Sequence, residues 1–384
     1  MMLFFSKKGK SMNIQITRTH TLVSLLFLLT ASPIRTEVES PLQPWVDFNT
    51  VVATINVGVT PTGIAINHHS NTAYVANNNN YGIAGEDSVS VINLKKNLVK
   101  KVIFDESFNQ PYTITLSHYR GYVTNSNSTT ITVFDTKTNC VVDVIDGFDG
   151  PSGMAISPDG KTGYVNNYGG PDGVGSGNGT TVSVVDLQSN TIIDTICVGL
   201  APAALALTPD GKFLYVANYV DGNPNTGTVS VIKTKNNRVV DIINGFSGPF
   251  AIAITPNGKY ALVTNFGSNN FEPFGTTVSI INLKHNVTVS NISLGIQPAG
   301  VAITPNGKLA YVSNYNTLYA GSDFTDLTPG QGTVNIIDIH NKKLVPPTIA
   351  VGQSPADIAI APNGRHAYVT NFTSNTVSVI ELPH

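Results

Sequence analysis

The chain has 384 residues, of which only 12% are charged, and its formal net charge is −2 at pH 7. This slightly acidic balance argues against a nucleic-acid-binding protein, because such proteins carry a basic surface. Gly and Pro number 34 and 22, and the composition does not change after residue 50. We therefore expect one large domain of short strands and tight turns, with little helix.

The first 36 residues differ from the rest of the chain. Lys7, Lys8 and Lys10 precede an apolar run over residues 22–29, and small residues follow it. This order is typical of an export signal, and the run is too short for a retained membrane-spanning helix. We predict a signal over residues 1–36, a lead-in over residues 37–50, and a secreted, periplasmic or cell-surface protein without a transmembrane anchor once the signal is removed.

A tetrapeptide of Tyr (Leu in one copy), Val, any residue and Asn recurs through the rest of the chain. Its copies end at Asn77, Asn125, Asn167, Asn218, Asn265, Asn314 and Asn371, at intervals of 48, 42, 51, 47, 49 and 57 residues. A period of about 40–50 residues that holds four short strands is the signature of a propeller blade. The sequence therefore predicts an all-β, seven-bladed β-propeller over residues 51–384, built of four-stranded antiparallel blades.

Each repeat follows one scheme of four strands, named A to D from the central channel outward. In the sixth repeat we expect strand A at residues 298–304, B at 309–314, C at 333–339 and D at 344–351. Turns of the type Pro-Asn-Gly or Pro-Asp-Gly join A to B, because Gly and Asn adopt a positive φ at little cost. Strand A carries a small residue where the blades converge on the axis; these residues are Ala65, Thr115, Ala155, Ala206, Ala253, Ala302 and Ala359.

The strands at the two ends of the chain predict how the ring closes. Residues 51–57 have the pattern of a D strand, whereas residues 356–382 supply A, B and C strands without a D strand. We expect the N-terminal strand to complete the last blade, because closure removes an open sheet edge. Cys140 and Cys197 fall at opposite ends of outer strands in adjacent repeats, so we expect both to be unpaired. We also expect a monomer.

Residues 122–125 and 368–371 both have the sequence Tyr-Val-Thr-Asn and precede strands of the Thr-Val-Ser-Val-Ile type, such as residues 376–380. With seven related copies over residues 51–382, the chain resembles the YVTN-type β-propeller family, whose repeats are similar to WD40 repeats. The resemblance implies an exported binding protein, since the family includes archaeal surface-layer proteins and YncE-like periplasmic propellers. Single-stranded DNA binding has been proposed for the YncE-like members. The long loops between strands B and C depart from the family repeat.

The two ends of the channel differ in charge. The connections from D to A and from B to C share one end, the top, and the remaining turns share the other, the bottom. Lys and Arg residues after residue 36 fall in or beside bottom turns, whereas the top collects acidic and aromatic residues in long, dissimilar loops. Such loops on a rigid scaffold usually carry recognition. The predicted ligand- or partner-binding residues are Glu86, Asp87, Asp105, Glu106, Tyr168, Asp172, Tyr219, Asp221, Phe271, Glu272, Tyr315, Asp323, Asp326 and Asp357.

Catalytic chemistry has little support in the sequence. The histidines after residue 36 map to bottom turns or to the tail, and no nucleophile elbow, phosphate loop or paired-cysteine motif is present. We predict no catalytic residue and no cofactor, with calcium as the alternative if the pairs Glu86–Asp87 and Asp105–Glu106 converge. The ring of seven Asn anchors is expected to be structural, with side chains bonded to nearby backbone.

Three hypotheses about function follow. We favour a non-enzymatic binding protein or scaffold whose acidic, aromatic top face engages an extracytoplasmic protein or glycan. The second hypothesis is a metal-assisted hydrolase, lactonase or lyase that uses top-face carboxylates at the channel mouth. The third is nucleic-acid binding through the basic bottom ring, against which the net negative charge and the lack of interleaved aromatic residues argue.

Overall fold

The computed structural model describes residues 48–79, 86–170, 177–220, 225–267, 274–319 and 327–383. The predicted export signal and almost all of the lead-in lie outside these ranges. Six predicted binding residues also lie outside them: Asp172, Asp221, Phe271, Glu272, Asp323 and Asp326. Within the ranges, no helix has the length and apolar character needed to cross a membrane.

The described chain folds as a seven-bladed β-propeller in which each blade is a four-stranded antiparallel sheet. The strands of the first four blades are β2 (Pro61–Asn67), β3 (Thr72–Asn77), β4 (Ser88–Asn93) and β5 (Leu98–Phe104); β6 (Pro111–Ser117), β7 (Arg120–Asn125), β8 (Thr130–Asp135) and β9 (Cys140–Asp146); β10 (Pro151–Ile156), β11 (Thr162–Asn167), β12 (Thr181–Asp186) and β13 (Thr191–Cys197); and β14 (Pro202–Leu207), β15 (Phe213–Asn218), β16 (Gly227–Lys233) and β17 (Arg238–Phe246).

Blades 5 and 6 repeat the order, and blade 7 takes its fourth strand from the start of the chain. Their strands are β18 (Pro249–Ile254), β19 (Tyr260–Gly267), β20 (Phe274–Asn282) and β21 (Val287–Ser293); β22 (Pro298–Ile303), β23 (Leu309–Asn314), β26 (Thr333–Asp338) and β27 (Lys343–Ala350); and β28 (Pro355–Ile360), β29 (His366–Asn371), β30 (Thr376–Glu381) and β1 (Thr50–Asn56). A short hairpin of β24 (Thr317–Tyr319) and β25 (Leu327–Pro329) lies in the B–C loop of blade 6. The sequence analysis did not predict this hairpin.

Closure of the ring is confirmed. β1 pairs antiparallel with β30, so that Asn56 lies opposite Thr376 and Thr50 opposite Glu381. The residue before β1 adds two hydrogen bonds: the Asn49 backbone N–H donates to the Glu381 carbonyl at 2.7 Å, and its side-chain oxygen accepts from the Tyr311 hydroxyl at 2.7 Å. The N-terminal strand is therefore fixed to both blade 7 and blade 6.

The hydrophobic core lies between neighbouring blades. Tyr74 of β3 packs against Phe134 of β8 with ring centroids 5.0 Å apart, and its hydroxyl donates to the Asn139 side-chain oxygen at 3.0 Å. Burial raises the pKa of Tyr74 to about 12, so the hydroxyl stays protonated and remains a donor.

The two cysteines, Cys140 and Cys197, are free, as expected, and both are exposed.

The Asn anchors are structural, but their bonding differs from the expectation. The side-chain amide of Asn218 donates to the Thr228 and Ser230 hydroxyls of strand C, both at 2.9 Å. The predicted backbone partners occur only at the side-chain oxygen of the anchors. For example, the Gly58 N–H donates to the Asn77 side-chain oxygen at 3.1 Å. Hydroxyl partners prevail because strand C alternates small polar and apolar residues, and its polar side chains share a face with the anchor.

Candidate functional site: the top mouth of the channel

All seven inner strands begin with Pro, and each carries a break in register directly after it. In blade 7, Pro355 lies opposite Asn371, but Ile358 lies opposite Val369. Such a bulge re-aims side chains. The second residue after the Pro consequently faces the next blade: a Cβ placed on Gly300 would lie 2.8 Å from the Asp357 Cα.

Asp357 is the charged exception at this position. The equivalent residues in chain order are Gly63, Thr113, Gly153, Ala204, Ala251, Gly300 and Asp357. The Asp357 carboxylate is half-buried at the joint between blades 7 and 1, where it accepts the Ile64 N–H at 3.0 Å and its neighbour Ile358 N–H at 2.8 Å. Burial raises the pKa of Asp357 to about 6, against the lowering effect of these two hydrogen bonds. The group is therefore mostly ionised at neutral pH.

Tyr112 occupies the top end of the inner strand of blade 2. Burial raises the pKa of its hydroxyl, and the nearby Tyr168, Tyr315 and Asp357 raise it further. These three side chains belong to blades 3, 6 and 7. Because the hydroxyl interacts with groups on opposite sides of the ring, we place it near the channel axis, where it remains a protonated hydrogen-bond donor.

Aromatic side chains surround this end of the channel. The residues that directly follow the Asn anchors are Asn78, Ser126, Tyr168, Tyr219, Phe266, Tyr315 and Phe372, so five of the seven are aromatic. We define the aromatic collar as the last five of these residues together with Phe250 of β18.

The collar rings form a connected series across blades 4 to 7. Ring centroids are 6.3 Å apart for Tyr219–Phe250, 5.0 Å for Phe250–Phe266, 6.1 Å for Phe266–Tyr315 and 6.1 Å for Tyr315–Phe372. Tyr219 and Phe266 are buried, with 2% and 4% of their surface exposed, and support the other members. Phe250, Tyr315 and Phe372 are only half-buried, as is Tyr168 of blade 3. These partly exposed rings provide the apolar surface of the mouth.

A chain of hydrogen bonds holds the acidic side of the mouth in place. The Asp357 N–H donates to the Thr370 hydroxyl at 3.0 Å, and that hydroxyl donates to the Thr62 carbonyl at 2.6 Å. The Thr62 hydroxyl then donates to the Tyr112 carbonyl at 2.7 Å. Blades 7, 1 and 2 are thus tied together around Asp357 and Tyr112, which pre-organises both residues.

The predicted acidic pairs take no part in this chain of hydrogen bonds. Glu86 and Asp87 precede β4, and each has one buried carboxylate oxygen that finds no hydrogen-bond partner in the described structure. Burial raises the pKa of Asp87, although the Gln110 backbone N–H donates to it. Asp105 accepts the Ser107 N–H at 3.0 Å within its own loop, and Glu106 beside it is exposed. In the described ranges, no three His, Cys, Asp or Glu side chains form a group that could hold a metal ion.

Sequence reasoning named part of this mouth. Tyr168, Tyr315 and Asp357 interact around Tyr112, and Tyr219 joins Tyr315 through Phe250 and Phe266. Four residues that the structure places here were not predicted from the sequence: Tyr112, Phe250, Phe266 and Phe372. Two signals could have identified them, namely an aromatic residue directly after the Pro of an inner strand and one directly after an Asn anchor.

The bottom of the channel has a different character. A shallow cavity of about 310 Å³ opens there beside blades 1 to 3. Its lining residues are His69, Leu116, Ser117, His118, Ile156, Ser157, Pro158 and Gly160. Both imidazoles are exposed, and the lining contains neither a carboxylate nor an aromatic ring of Phe, Tyr or Trp. The top mouth is therefore the better candidate site.

Comparisons with known proteins agree with this architecture. A family model described as "Lactonase, 7-bladed beta-propeller" matches residues 117–384. Among solved structures, hydrazine synthase from Kuenenia stuttgartiensis is similar, with a TM-score of 0.70 and 23% sequence identity over 84% of this chain and 96% of that one. At this identity the likeness concerns the fold alone. No curated protein sequence matches the chain.

Proposed function

Because the chain belongs to the lactonase family of seven-bladed β-propellers, we propose that it acts at the top mouth of its channel by binding a small organic molecule. One observation carries this proposal: Asp357, a half-buried carboxylate where the other blades have Gly, Ala or Thr, lies near the Tyr112 hydroxyl together with the collar residues Tyr168 and Tyr315. Concave sites with apolar walls and a few convergent polar groups are typical of small-molecule binding.

Compared with the hypothesis of a protein or glycan partner, this proposal limits the ligand to a molecule small enough to enter the mouth. The half-buried rings of Tyr168, Phe250, Tyr315 and Phe372 offer their surface within the mouth, which suits a ligand that enters it. A sugar ring can stack on such aromatic faces, so a short glycan remains within the proposed ligand class. From the export signal predicted over residues 1–36, we also propose that the site acts outside the cytoplasm.

Hydrolysis of a lactone is the second candidate, and the pKa of Asp357 near 6 favours it. A base with a pKa close to neutral accepts a proton efficiently. In this scheme Asp357 takes a proton from water as the water oxygen bonds to the lactone carbonyl carbon, and the Tyr112 hydroxyl donates a hydrogen bond to the oxyanion. The ring C–O bond then breaks, and Asp357 returns the proton to the leaving oxygen, which yields the hydroxy acid.

A ligand panel tests both candidates on the full chain. We expect at least one small sugar, lactone or ammonium compound to raise the melting temperature, because a ligand that binds only the folded state stabilises it. Asp357→Asn and Phe250→Leu should abolish the rise. The matched control for Asp357→Asn is Asp159→Asn, a bottom-turn substitution to the residue that equivalent turns carry at Asn257, Asn306 and Asn363.

Two results would contradict these proposals. If every stabilising ligand still acts on Phe250→Leu and Asp357→Asn, the site does not lie at the top mouth. If lactones bind the parent chain but no acid release is seen by pH-stat titration at pH 7.5, the hydrolase candidate fails and the binding function stands.

A further inference from the structure

The top end of the molecule is strongly one-sided in charge. In the described part of the chain, the loops at this end and the adjoining strand ends contain seven acidic residues and no Lys, Arg or His. The acids are Glu86, Asp87, Asp105, Glu106, Asp146, Asp149 and Asp357. A single-sign field over a cleft concentrates ligands of the opposite charge near it. The mouth should therefore attract cations and repel anions.

Asp357 has no cationic partner in the described structure. The two ion pairs found there, Arg120–Asp135 and Lys212–Asp210, both lie at bottom turns. The partners of the Asp357 carboxylate are backbone N–H groups, which do not neutralise its charge. A half-buried carboxylate without a counter-ion gains most from a ligand that brings one.

The neighbouring rings suit a cation of a particular kind. Tyr and Phe faces attract a cation within about 6 Å of the ring centroid, and the attraction grows when water is excluded. Phe250, Tyr315 and Phe372 present partly exposed rings, and successive collar centroids lie 5.0–6.3 Å apart. A compact methylated ammonium group is weakly hydrated and loses little on entering such surroundings. A metal ion would instead require several oxygen ligands.

We infer that the ligand of the top mouth is an organic cation of the tertiary or quaternary ammonium class, held by ring faces of the aromatic collar and paired with Asp357. This inference rests on the proposed function, because it names the chemistry of the molecule that the mouth binds. Charge complementarity selects this occupant: the collar supplies apolar contact, and Asp357 supplies a counter-charge without a cationic partner among the described residues.

The test compares two probes that differ chiefly in charge. Choline carries a trimethylammonium group, and 3,3-dimethyl-1-butanol replaces it with a neutral tert-butyl group of nearly the same shape. Binding to the full chain is measured by calorimetric titration at pH 7.5 and fixed ionic strength. We expect choline to bind at least about tenfold more tightly than the neutral alcohol, since tenfold corresponds to about 1.4 kcal/mol, which is within the range of a desolvated cation–π contact.

Variants locate the binding. Asp357→Asn and Tyr315→Leu should each weaken choline binding at least about tenfold. Asp159→Asn and Tyr119→Leu, an acid and an exposed aromatic residue at the bottom, should leave it unchanged. Far-UV circular dichroism and melting curves check that each variant is folded, and Phe250→Leu replaces Tyr315→Leu if the latter is not.

The outcomes separate the inference from the proposed function. Equal binding of choline and the neutral alcohol, lost together in Phe250→Leu, overturns the cation assignment and keeps the mouth as the site. The same holds if neither probe binds while a lactone or sugar of the panel binds and is lost in Phe250→Leu. If choline binding survives both Asp357→Asn and Tyr315→Leu, the inference fails, and the proposed function fails with it only when every other stabilising ligand also survives Phe250→Leu and Asp357→Asn. If no compound binds the parent chain, both fail together.

Discussion

The ionised Asp357 side chain should reduce the stability of the fold at neutral pH, and Asp357→Asn should reveal this cost. Burial holds the pKa of Asp357 at about 6, whereas its ordinary value is 3.8. A carboxyl group whose pKa is raised in the folded state binds its proton more tightly there than in the unfolded chain. The stability that this group contributes is therefore fully present below about pH 4 and is lost as the pH rises towards 6.

The magnitude follows from the two pKa values. At about 1.36 kcal/mol per pKa unit, the change from 3.8 to about 6 corresponds to a loss of about 3 kcal/mol, as an upper limit for a half-buried group. Asparagine stays neutral, but it has one carbonyl oxygen for the two N–H groups that the carboxylate accepts, which costs about 1 kcal/mol. We expect Asp357→Asn to be up to about 1 kcal/mol less stable than the parent at pH 4 and up to about 2 kcal/mol more stable at pH 7.5.

Urea unfolding followed by far-UV circular dichroism, for parent and variant at several pH values from 4 to 8, measures this difference. Using the difference between the two chains cancels the titration of other groups, such as Asp210, whose pKa is lowered to about 2 by its hydrogen bonds. A difference in unfolding free energy that does not change with pH would refute the reasoning. A variant that loses stability relative to the parent as pH rises would show that the carboxylate is a net stabilising link between blades.

Three further changes test the architecture by the same unfolding measurement. Asn218→Ala removes two hydrogen bonds from a buried side chain to strand C and should lower the free energy of unfolding by about 2–3 kcal/mol. The control Asn236→Ala, at an exposed position, should lower it by less than about 0.5 kcal/mol. Similar losses in the two variants would contradict the structural role of the anchors. Tyr311→Phe removes the buried bond to the segment before β1 and should cost about 1 kcal/mol, and an unchanged midpoint would mean that this bond does not help to close the ring. Gly300→Ala places a methyl group 2.8 Å from the Asp357 Cα and should lower the free energy of unfolding by about 1–3 kcal/mol. An unchanged free energy of unfolding would show that the joint between blades 6 and 7 is loosely packed.

The sequence predicted the fold in detail because its signals are local and repeated. The Asn anchors and the small residues of strand A each recur seven times, and the turn residues recur five times, so chance matches at one copy do not alter the pattern. The closure of blade 7 by β1 followed from the same scheme, because one strand is missing at one end of the chain and one is in excess at the other. The narrower resemblance to YVTN-type propellers remains a prediction, since the family match identifies the lactonase propellers.

The site was predicted less well because its residues occupy ordinary repeat positions. Tyr112 and Phe250 follow the first Pro of their inner strands, where other blades have Thr, Ser or Ala. Their approach to the axis depends on the bulge after the Pro, which was not predicted from the sequence although a Pro opens each inner strand. Phe266 and Phe372 were not predicted because the contact residues were expected in the long loops between strands. The structure instead places the partly exposed aromatic surface at the ends of strands, inside the mouth.

The repeat itself separates a structural role of Asp357 from a functional one. All seven blades make the same joint, and six of them make it with Gly, Ala or Thr at this position. In blade 2, Thr113 bridges to the next blade through its hydroxyl, which donates to the Ser152 carbonyl at 3.1 Å without any charge. A carboxylate is thus not needed to join two blades. Groups with a strongly raised pKa are characteristic of functional sites, and Asp357 combines a raised pKa with a joint that other blades make without charge, so we expect its charge to serve the ligand proposed for the mouth.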